Sequence, residues 1–175
     1  TDAGADALLR LEGALATVAA SAAAVCLMHK QGTPQTMQQQ PHYRDVVADI
    51  SAFLRVRIAA AEAAGIARER IVVDPGFGFG KTLAHNLTLL RELETFCALG
   101  VPVLAGLSRK SMLGAITGRD VGERMAASVA AGLLAVQRGA AIVRGHDVRE
   151  TVDALKVWQI TDESLSPQRH RVNPR

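Results

Sequence analysis

Residues 71–81 read Ile-Val-Val-Asp-Pro-Gly-Phe-Gly-Phe-Gly-Lys, a short apolar run that ends in an aspartate and a glycine-rich turn. Three further segments also carry a polar cluster where an apolar run ends: 27–32 (LMHKQG), 106–111 (GLSRKS) and 144–147 (RGHD). A βα barrel builds its active site at the carboxyl ends of successive buried strands. The order and spacing of these clusters therefore predict an α/β enzyme.

The composition is typical of one globular unit. Of 175 residues, 49% are apolar and 21% are charged, which is enough for a core. A net charge of +3 and an aromatic content of 3% argue against a nucleic-acid surface. Cys26 and Cys97 are too few for a disulfide framework and fit a reducing cytoplasm. The uncharged stretch 13–28 is shorter than the roughly 20 apolar residues of a membrane span, so we expect no membrane partner.

Helical and strand-like segments alternate along the chain. The predicted helices cover 6–20, 42–65, 83–99, 121–138 and 148–160, and the predicted strands cover 22–28, 71–73, 103–105 and 140–143. This alternation implies parallel strands with right-handed crossovers. Four such units make either half of an eightfold barrel or an open α/β sheet. A complete eightfold barrel typically needs about 250 residues. Residues 161–175 are polar, and we expect a disordered tail there.

The segment that follows Asp74 has the features of a ligand wall. Glycines at 76, 78 and 80 let the backbone approach a ligand, and Phe77 and Phe79 offer it two aromatic faces. A buried carboxylate at Asp74 needs donors, and a cyclic amidine edge would satisfy both its oxygens. Pro75 stands where a phosphate-binding P-loop requires glycine. The alternative is a tight turn with both phenylalanines packed inside and a capping aspartate.

The two later clusters suit anionic ligands. Residues 108–111 precede a short predicted helix, whose free N–H groups, serines and Lys110 could hold a carboxylate or a phosphate. Arg144 and His146 alternate at a strand end, so both side chains lie on one face, where the arginine could stack on a ring or bind a phosphate. The alternatives are a solvated basic turn and an ion pair of Arg144 with Asp147. His29 is more typical of a hydrogen-bonded structural residue than of a ligand.

Residues 27–38, 74–81, 108–111 and 144–148 together resemble the dihydropteroate synthase family, and the resemblance covers about residues 13–158. It implies a (β/α)8 TIM barrel, of which this chain supplies roughly the last four βα units within residues 1–160. It also implies an enzyme of folate biosynthesis that condenses (7,8-dihydropterin-6-yl)methyl diphosphate with 4-aminobenzoate and releases diphosphate.

The resemblance assigns a pterin pocket. Asp74 would hold the amino and ring N–H edge of the pterin, and Met28 and Gly106 would line the pocket. Lys110 would bond the ring, and Arg144 would stack on its face.

The resemblance assigns the remaining site residues to the second substrate and to the leaving group. Phe79 and Ser108 would border 4-aminobenzoate, whose carboxylate would meet Ser111. Arg144 and His146 would bind the diphosphate. The expected catalytic residues are Lys110, Arg144 and His146.

The resemblance also implies Mg²⁺, whose protein ligand is expected in a loop before Thr1 and not in this chain. It implies a homodimer as well. Because that loop has no match here, we expect a carboxyl-terminal half that is inactive alone. Gly145 stands where the family usually has valine, and glycine should loosen the last strand. Two alternatives stay open: a methyltetrahydrofolate methyltransferase-like barrel, and a noncatalytic half-barrel that pairs with a partner chain through its strand edges.

Overall fold

The computed structural model describes residues 13–31 and 41–162. Its elements, in chain order, are α1 (13–19), β1 (Val25–Met28), α2 (Val46–Ala63), β2 (Ile71–Asp74), α3 (Leu83–Arg91), α4 (Glu94–Cys97), β3 (Leu104–Ala105), α5 (Ser111–Thr117), α6 (Met125–Gln137), β4 (Ile142–Val143) and α7 (Val148–Thr161). Short 3₁₀ turns occupy Arg68–Arg70 and Val121–Glu123.

The strands are parallel and lie side by side in sequence order. β1 pairs with β2 in the register Val25 to Ile71, and β3 pairs with β4 in the register Leu104 to Ile142. An isolated parallel bridge between Val73 and Val103 joins the two pairs. Each strand is followed by a helix, as parallel pairing requires. The predicted α/β class is therefore confirmed.

The helix boundaries follow local chemistry. The Asp45 side chain caps α2 by accepting hydrogen bonds from the backbone N–H groups of Val47 (2.9 Å) and Ala48 (3.0 Å), which satisfies donors that the first turn leaves free. Gly65 follows α2 with a φ of +90°, a conformation that glycine adopts without strain. The predicted helix 42–65 is thus confirmed in type and shortened at its start.

Two predicted helices differ from the structure. The predicted helix 83–99 is interrupted between α3 and α4, and the break leaves both Leu93 and Phe96 fully buried. The predicted helix 121–138 begins as a 3₁₀ turn and becomes α-helical at Met125. The first part of the predicted helix 6–20 lies outside the described residues, as does the expected tail 161–175 after residue 162. Thr161 still belongs to α7, so the expected start of the tail at 161 is wrong.

The two faces of the sheet have different surroundings. Successive strand side chains alternate between faces, and one set, which includes Leu27, Val73 and Val103, is buried against the helices. Cys26 and Ile142, which by alternation belong to the opposite face, are exposed. Asp74 belongs to that opposite face, at its carboxyl end. The candidate site therefore lies where the less covered face meets the strand ends.

Arg70 fixes the segment between α1 and β1 through hydrogen bonds to its backbone. Its guanidinium donates hydrogen bonds to the carbonyl oxygens of Val18 (2.8 Å), Ser21 (2.7 Å) and Ala23. An irregular segment needs such partners because its carbonyls have none in a helix or sheet. The contact fixes the end of α1 against the start of β2. Within the described ranges, no helix is both long and apolar enough to cross a membrane.

Leu54 gives a direct test of the core. This α2 side chain is fully buried, whereas Val56 on the same helix is 65% exposed. Leu54→Ala should lower the free energy of unfolding by about 2–5 kcal/mol because it leaves a cavity. The matched control Val56→Ala should change it by no more than about 0.5 kcal/mol. Urea unfolding followed by circular dichroism measures both, and equal losses would contradict this assignment of the core.

Candidate active site

One cavity collects the polar residues at the ends of β3 and β4. Its volume is about 200 Å³, and its lining consists of Gly106, Ser108, Lys110, Arg144, Gly145 and His146. The three expected catalytic side chains, those of Lys110, Arg144 and His146, therefore share one cavity.

Asp74 adjoins this cavity at the end of β2. Its side chain is buried, and its Oδ2 lies 3.7 Å from Nη2 of Arg144. Its Oδ1 accepts a hydrogen bond of 2.7 Å from the backbone N–H of Gly76. Burial raises the pKa of Asp74, while the Gly76 N–H and the charges of Arg144, Lys110 and Lys81 oppose that rise. The carboxylate thus has a cation on one oxygen and a backbone donor on the other.

Gly106 explains how Arg144 reaches across the cavity. A Cβ atom at Gly106 would lie 3.1 Å from Nη2 of Arg144 and 3.5 Å from its Nε. The absence of a side chain therefore lets the guanidinium lie flat over the end of β3. A cation in that position can stack on a planar ring.

The glycine-rich turn packs closely against its neighbours. Gly76 has a φ of +74°, and a Cβ atom there would overlap the carbonyl oxygen of His29. A Cβ atom at Gly78 would lie 3.0 Å from Cδ of Lys110. Nζ of Lys110 lies 3.8 Å from the ring centroid of Phe79. Burial and the charge of Arg144 lower the pKa of Lys110, whereas Asp74 raises it.

The two phenylalanines of this turn have different surroundings. Phe77 is 1% exposed and belongs to the hydrophobic core, whereas Phe79 is half-buried beneath Lys110. The expectation that both rings face a ligand is therefore wrong for Phe77. The period-2 pattern of the turn could not show this, because the φ values of Gly76, Gly78 and Gly80 break the alternation of a strand.

Ser108 contacts His146. The Ser108 hydroxyl lies 2.9 Å from Nδ1 of His146 and accepts a hydrogen bond of 3.1 Å from the His146 backbone N–H. These two contacts fix the imidazole ring beside the cavity. The family resemblance implies that Ser108 borders 4-aminobenzoate, and sequence reasoning did not indicate this contact.

Asp147 pairs with Arg109 and not with Arg144. Nη2 of Arg109 lies 2.7 Å from Oδ1 of Asp147, and its Nε donates a hydrogen bond of 3.3 Å to Oδ2. This hydrogen bond lowers the pKa of Asp147. The alternative, an ion pair of Arg144 with Asp147, is therefore wrong, and Arg144 lies beside Asp74 instead. Arg109 itself has a φ of +58°, and sequence reasoning assigned it no function.

The backbone of this unusual arginine is held on both sides. Its N–H donates to Oγ of Ser128 (2.9 Å), and its carbonyl accepts from Nη1 of Arg124 (3.1 Å). A non-glycine residue in the left-handed region costs free energy unless its surroundings fix it. These contacts set the direction in which Lys110 leaves the turn.

Other expected site residues lie apart. Met28 lines a second cavity of about 200 Å³, together with Cys26, Phe53 and Arg57, although its Cα is paired with that of Asp74. Ser111 begins α5 and is exposed. Neither residue is among those that line the cavity of Arg144.

His29 and Lys81 form a buried pair. Nζ of Lys81 lies 3.1 Å from Nδ1 of His29, and both side chains are less than one-tenth exposed. Burial and the charge of Lys81 lower the pKa of His29 to about 4, and burial lowers that of Lys81 to about 8. The sequence offered no signal for this pair, because lysine is rarely buried.

Metal ligands are not clustered in residues 13–31 and 41–162. No group of three or more His, Cys, Asp or Glu side chains in those ranges could hold a metal ion. The described residues therefore do not fit a metal held by side chains alone, and the chemistry below uses the side chains themselves.

Comparison with known proteins identifies the family of this chain. Residues 6–146 match the family described as pterin binding enzyme. The chain therefore belongs to the pterin binding enzyme family.

Within that family, the similarity is to dihydropteroate synthases. The chain is 52% identical over 153 residues to the enzyme of Haemophilus influenzae, which covers 87% of this chain and 56% of that protein. The crystal structure of the Stenotrophomonas maltophilia enzyme, with imidazole in its active site, is 60% identical and superimposes with a TM-score of 0.85. That match covers 91% of this chain and 60% of that one.

A third relative contains a ligand. The Xanthomonas albilineans enzyme in complex with 7,8-dihydropteroate is 52% identical, with a TM-score of 0.81 over 89% of this chain and 57% of that one. These neighbours give the fold as a TIM-barrel type. The chain spans a little over half the length of the relatives that it matches.

Gly76 tests the close packing of the turn. Gly76→Ala should destabilise the protein by more than the roughly 1–2 kcal/mol that a left-handed backbone costs, because the new methyl group also overlaps the His29 carbonyl. Gly122→Ala is the matched control, since a Cβ atom there meets nothing within 4 Å. Thermal unfolding measures both variants. A Gly76→Ala protein that melts with the control would show that the turn is not packed as described.

Proposed function

We propose that residues 1–160 of this chain form the carboxyl-terminal half of a dihydropteroate synthase barrel, roughly its last four βα units. The observation that carries the proposal is the cavity at the ends of β3 and β4, where Lys110, Arg144 and His146 meet beside the buried carboxylate of Asp74. The similarity to dihydropteroate synthases supports it.

The pterin half of the site would be built around Asp74. A carboxylate accepts two parallel N–H groups, and the 2-amino and ring N–H edge of a pterin presents such a pair. Arg144 would stack on the ring face across Gly106, and Lys110 would bond the ring. Met28 would complete the pocket from β1.

The reaction would separate charge at the cavity mouth. The bond between the pterin methylene and the diphosphate oxygen breaks, and its electron pair leaves with diphosphate. The resulting methylene cation is stabilised by the ring, and the amine of 4-aminobenzoate attacks it and then loses a proton. Arg144 and His146 would offset the charge that grows on the leaving group. No side-chain nucleophile is needed.

The aminobenzoate would lie on the other side of Lys110. Phe79, whose ring lies under the Lys110 ammonium, would border the aromatic ring, and Ser111 would meet the carboxylate at the start of α5. The contacts of Ser108 with His146 support a role for Ser108 in orienting that imidazole as well as in bordering the substrate.

Three further expectations concern the metal, the oligomeric state and the location of the protein. A divalent metal is implied by the family resemblance alone, as Mg²⁺ that accompanies the diphosphate. A homodimer is supported by exposed apolar side chains on α7, which include Val148, Val157 and Ile160. The cytoplasm is supported by the free cysteines Cys26 and Cys97.

A fusion protein tests the proposed reaction. The segment of the Haemophilus influenzae enzyme that precedes its match to this chain would be joined to this chain. The fusion should convert (7,8-dihydropterin-6-yl)methyl diphosphate and 4-aminobenzoate to 7,8-dihydropteroate, as chromatography can measure, and the isolated 175 residues should not. A folded fusion that binds neither substrate would contradict the proposal. Turnover by the isolated chain at the rate of the relative would contradict the half-barrel.

Asp74 gives a second prediction. Asp74→Asn in the fusion should weaken pterin binding by about 10- to 100-fold, the factor of one charged hydrogen bond. Burial raises the pKa of Asp74. The pterin affinity of the wild type should therefore decrease as the pH is lowered, because the carboxylate takes up a proton at a pH above the usual carboxyl range. Pterin fluorescence titration between pH 4 and 8 measures both effects. Asp153→Asn on α7 is the control. If the Asp74→Asn variant still lost pterin affinity at low pH, the titrating group would be a residue other than Asp74.

A further inference from the structure

The Lys81 ammonium is held entirely by protein acceptors. Its Nζ donates hydrogen bonds to the carbonyl oxygens of Gly76 (2.8 Å) and Phe79 (3.0 Å) and lies 3.1 Å from Nδ1 of His29. An ammonium has three donors and no acceptor. The three contacts therefore use all three donors, and the imidazole accepts at Nδ1 with its proton on Nε2. Lys81 is 4% exposed, so no donor is left for a substrate.

The two carbonyls that accept from Lys81 belong to Gly76 and Phe79. Each of these residues contacts a residue of the candidate site. Gly76 donates its N–H to Oδ1 of Asp74 at 2.7 Å. The ring of Phe79 lies 3.8 Å from Nζ of Lys110. One buried cation thus contacts Gly76, whose N–H orients the Asp74 carboxylate, and Phe79, the residue expected to border the aminobenzoate.

His29 adds a link to the neighbouring strand. Its backbone N–H donates to the carbonyl oxygen of Asp74 at 3.0 Å, and its own carbonyl fills the space where a Cβ atom of Gly76 would lie. Its imidazole then accepts from Lys81. The end of β1 and the turn after β2 therefore form one hydrogen-bonded unit around the ammonium.

We propose that Lys81 is a positioning residue, which holds Asp74 and Phe79 in the geometry that both substrates require, with His29 as its third acceptor. This inference rests on the proposed function for the identity of the substrates. It predicts that loss of the ammonium weakens two binding sites together, although Lys81 touches neither substrate.

The charges around Lys81 give the proposal a pH signature. Asp74, Lys110, His29 and His85 are the titratable groups that interact with it in the described residues. Burial lowers the pKa of Lys81 to about 8, with Asp74 opposing and Lys110 assisting. Above that pH the neutral amine keeps two donors and gains a lone pair, so its contacts with the two carbonyls and with His29 lose the contribution of the positive charge. Binding of both substrates should then weaken as the pH rises through about 8.

Three variants of the fusion protein separate the possibilities. Lys81→Met removes the ammonium, Lys81→Arg keeps a cation that stays protonated, and Lys156→Met is a matched loss of an exposed lysine on α7. We expect Lys81→Met to raise KM for both substrates by about 10- to 100-fold, as for a lost charged hydrogen-bond partner. We expect Lys81→Arg to have KM values between those of the wild type and Lys81→Met, and to show no weakening of substrate binding as the pH rises through about 8. Lys156→Met should match the wild type.

A spectroscopic measurement on the wild type does not depend on the variants folding. Nitrogen-15 NMR of His29 should show a proton on Nε2 and no titration until about pH 4. A proton on Nδ1 would overturn the proposal. So would unchanged KM values in a folded Lys81→Met protein, or a weakening of substrate binding near pH 8 that persists in Lys81→Arg.

The same measurements distinguish this inference from the proposed function. If the wild-type fusion makes no dihydropteroate, the proposed function fails, while the His29 tautomer and pterin affinity still test the role of Lys81. If the fusion is active and folded Lys81→Met has normal KM values for both substrates, only the role of Lys81 fails.

Discussion

A carboxylate removed from water is the constraint around which this parallel sheet and its candidate site are arranged. Asp74 ends β2 in a buried position, and a lone buried charge is costly unless donors meet it. The Gly76 N–H, from the next turn, donates a hydrogen bond to one oxygen of Asp74. The guanidinium of Arg144, from the far end of the sheet, lies 3.7 Å from the other oxygen as an ion pair. The parallel order β1-β2-β3-β4 brings those donors together, so the fold and the electrostatics of the site depend on each other.

The parallel arrangement of the strands was predictable, and the side-chain partners were not. The four polar clusters were expected at one edge of a parallel sheet because each follows an apolar run, and Lys110, Arg144 and His146 do share a cavity. Partners such as Arg109 with Asp147 are 38 residues apart in sequence. Their pairing depends on where α5, α6 and α7 lie, which periodicity does not specify.

The glycine-rich turn shows the same limit on a smaller scale. Its composition predicted a backbone that a ligand can approach closely, and both Gly76 and Gly78 do have close neighbours. What approaches, however, is the carbonyl of His29 and the side chain of Lys110. Composition also could not separate the buried Phe77 from Phe79, because left-handed glycines redirect successive side chains.

The crowding at Gly76 has a consequence for inhibitors. A compound that bonds to the backbone of residues 76–80 would engage atoms whose positions tolerate no added side chain at 76 and little at 78. Point mutations that block such a compound would also disturb the turn that holds the candidate site. Ligands that contact only exposed side chains such as Ser111 have no such protection, so escape by mutation should be easier against them.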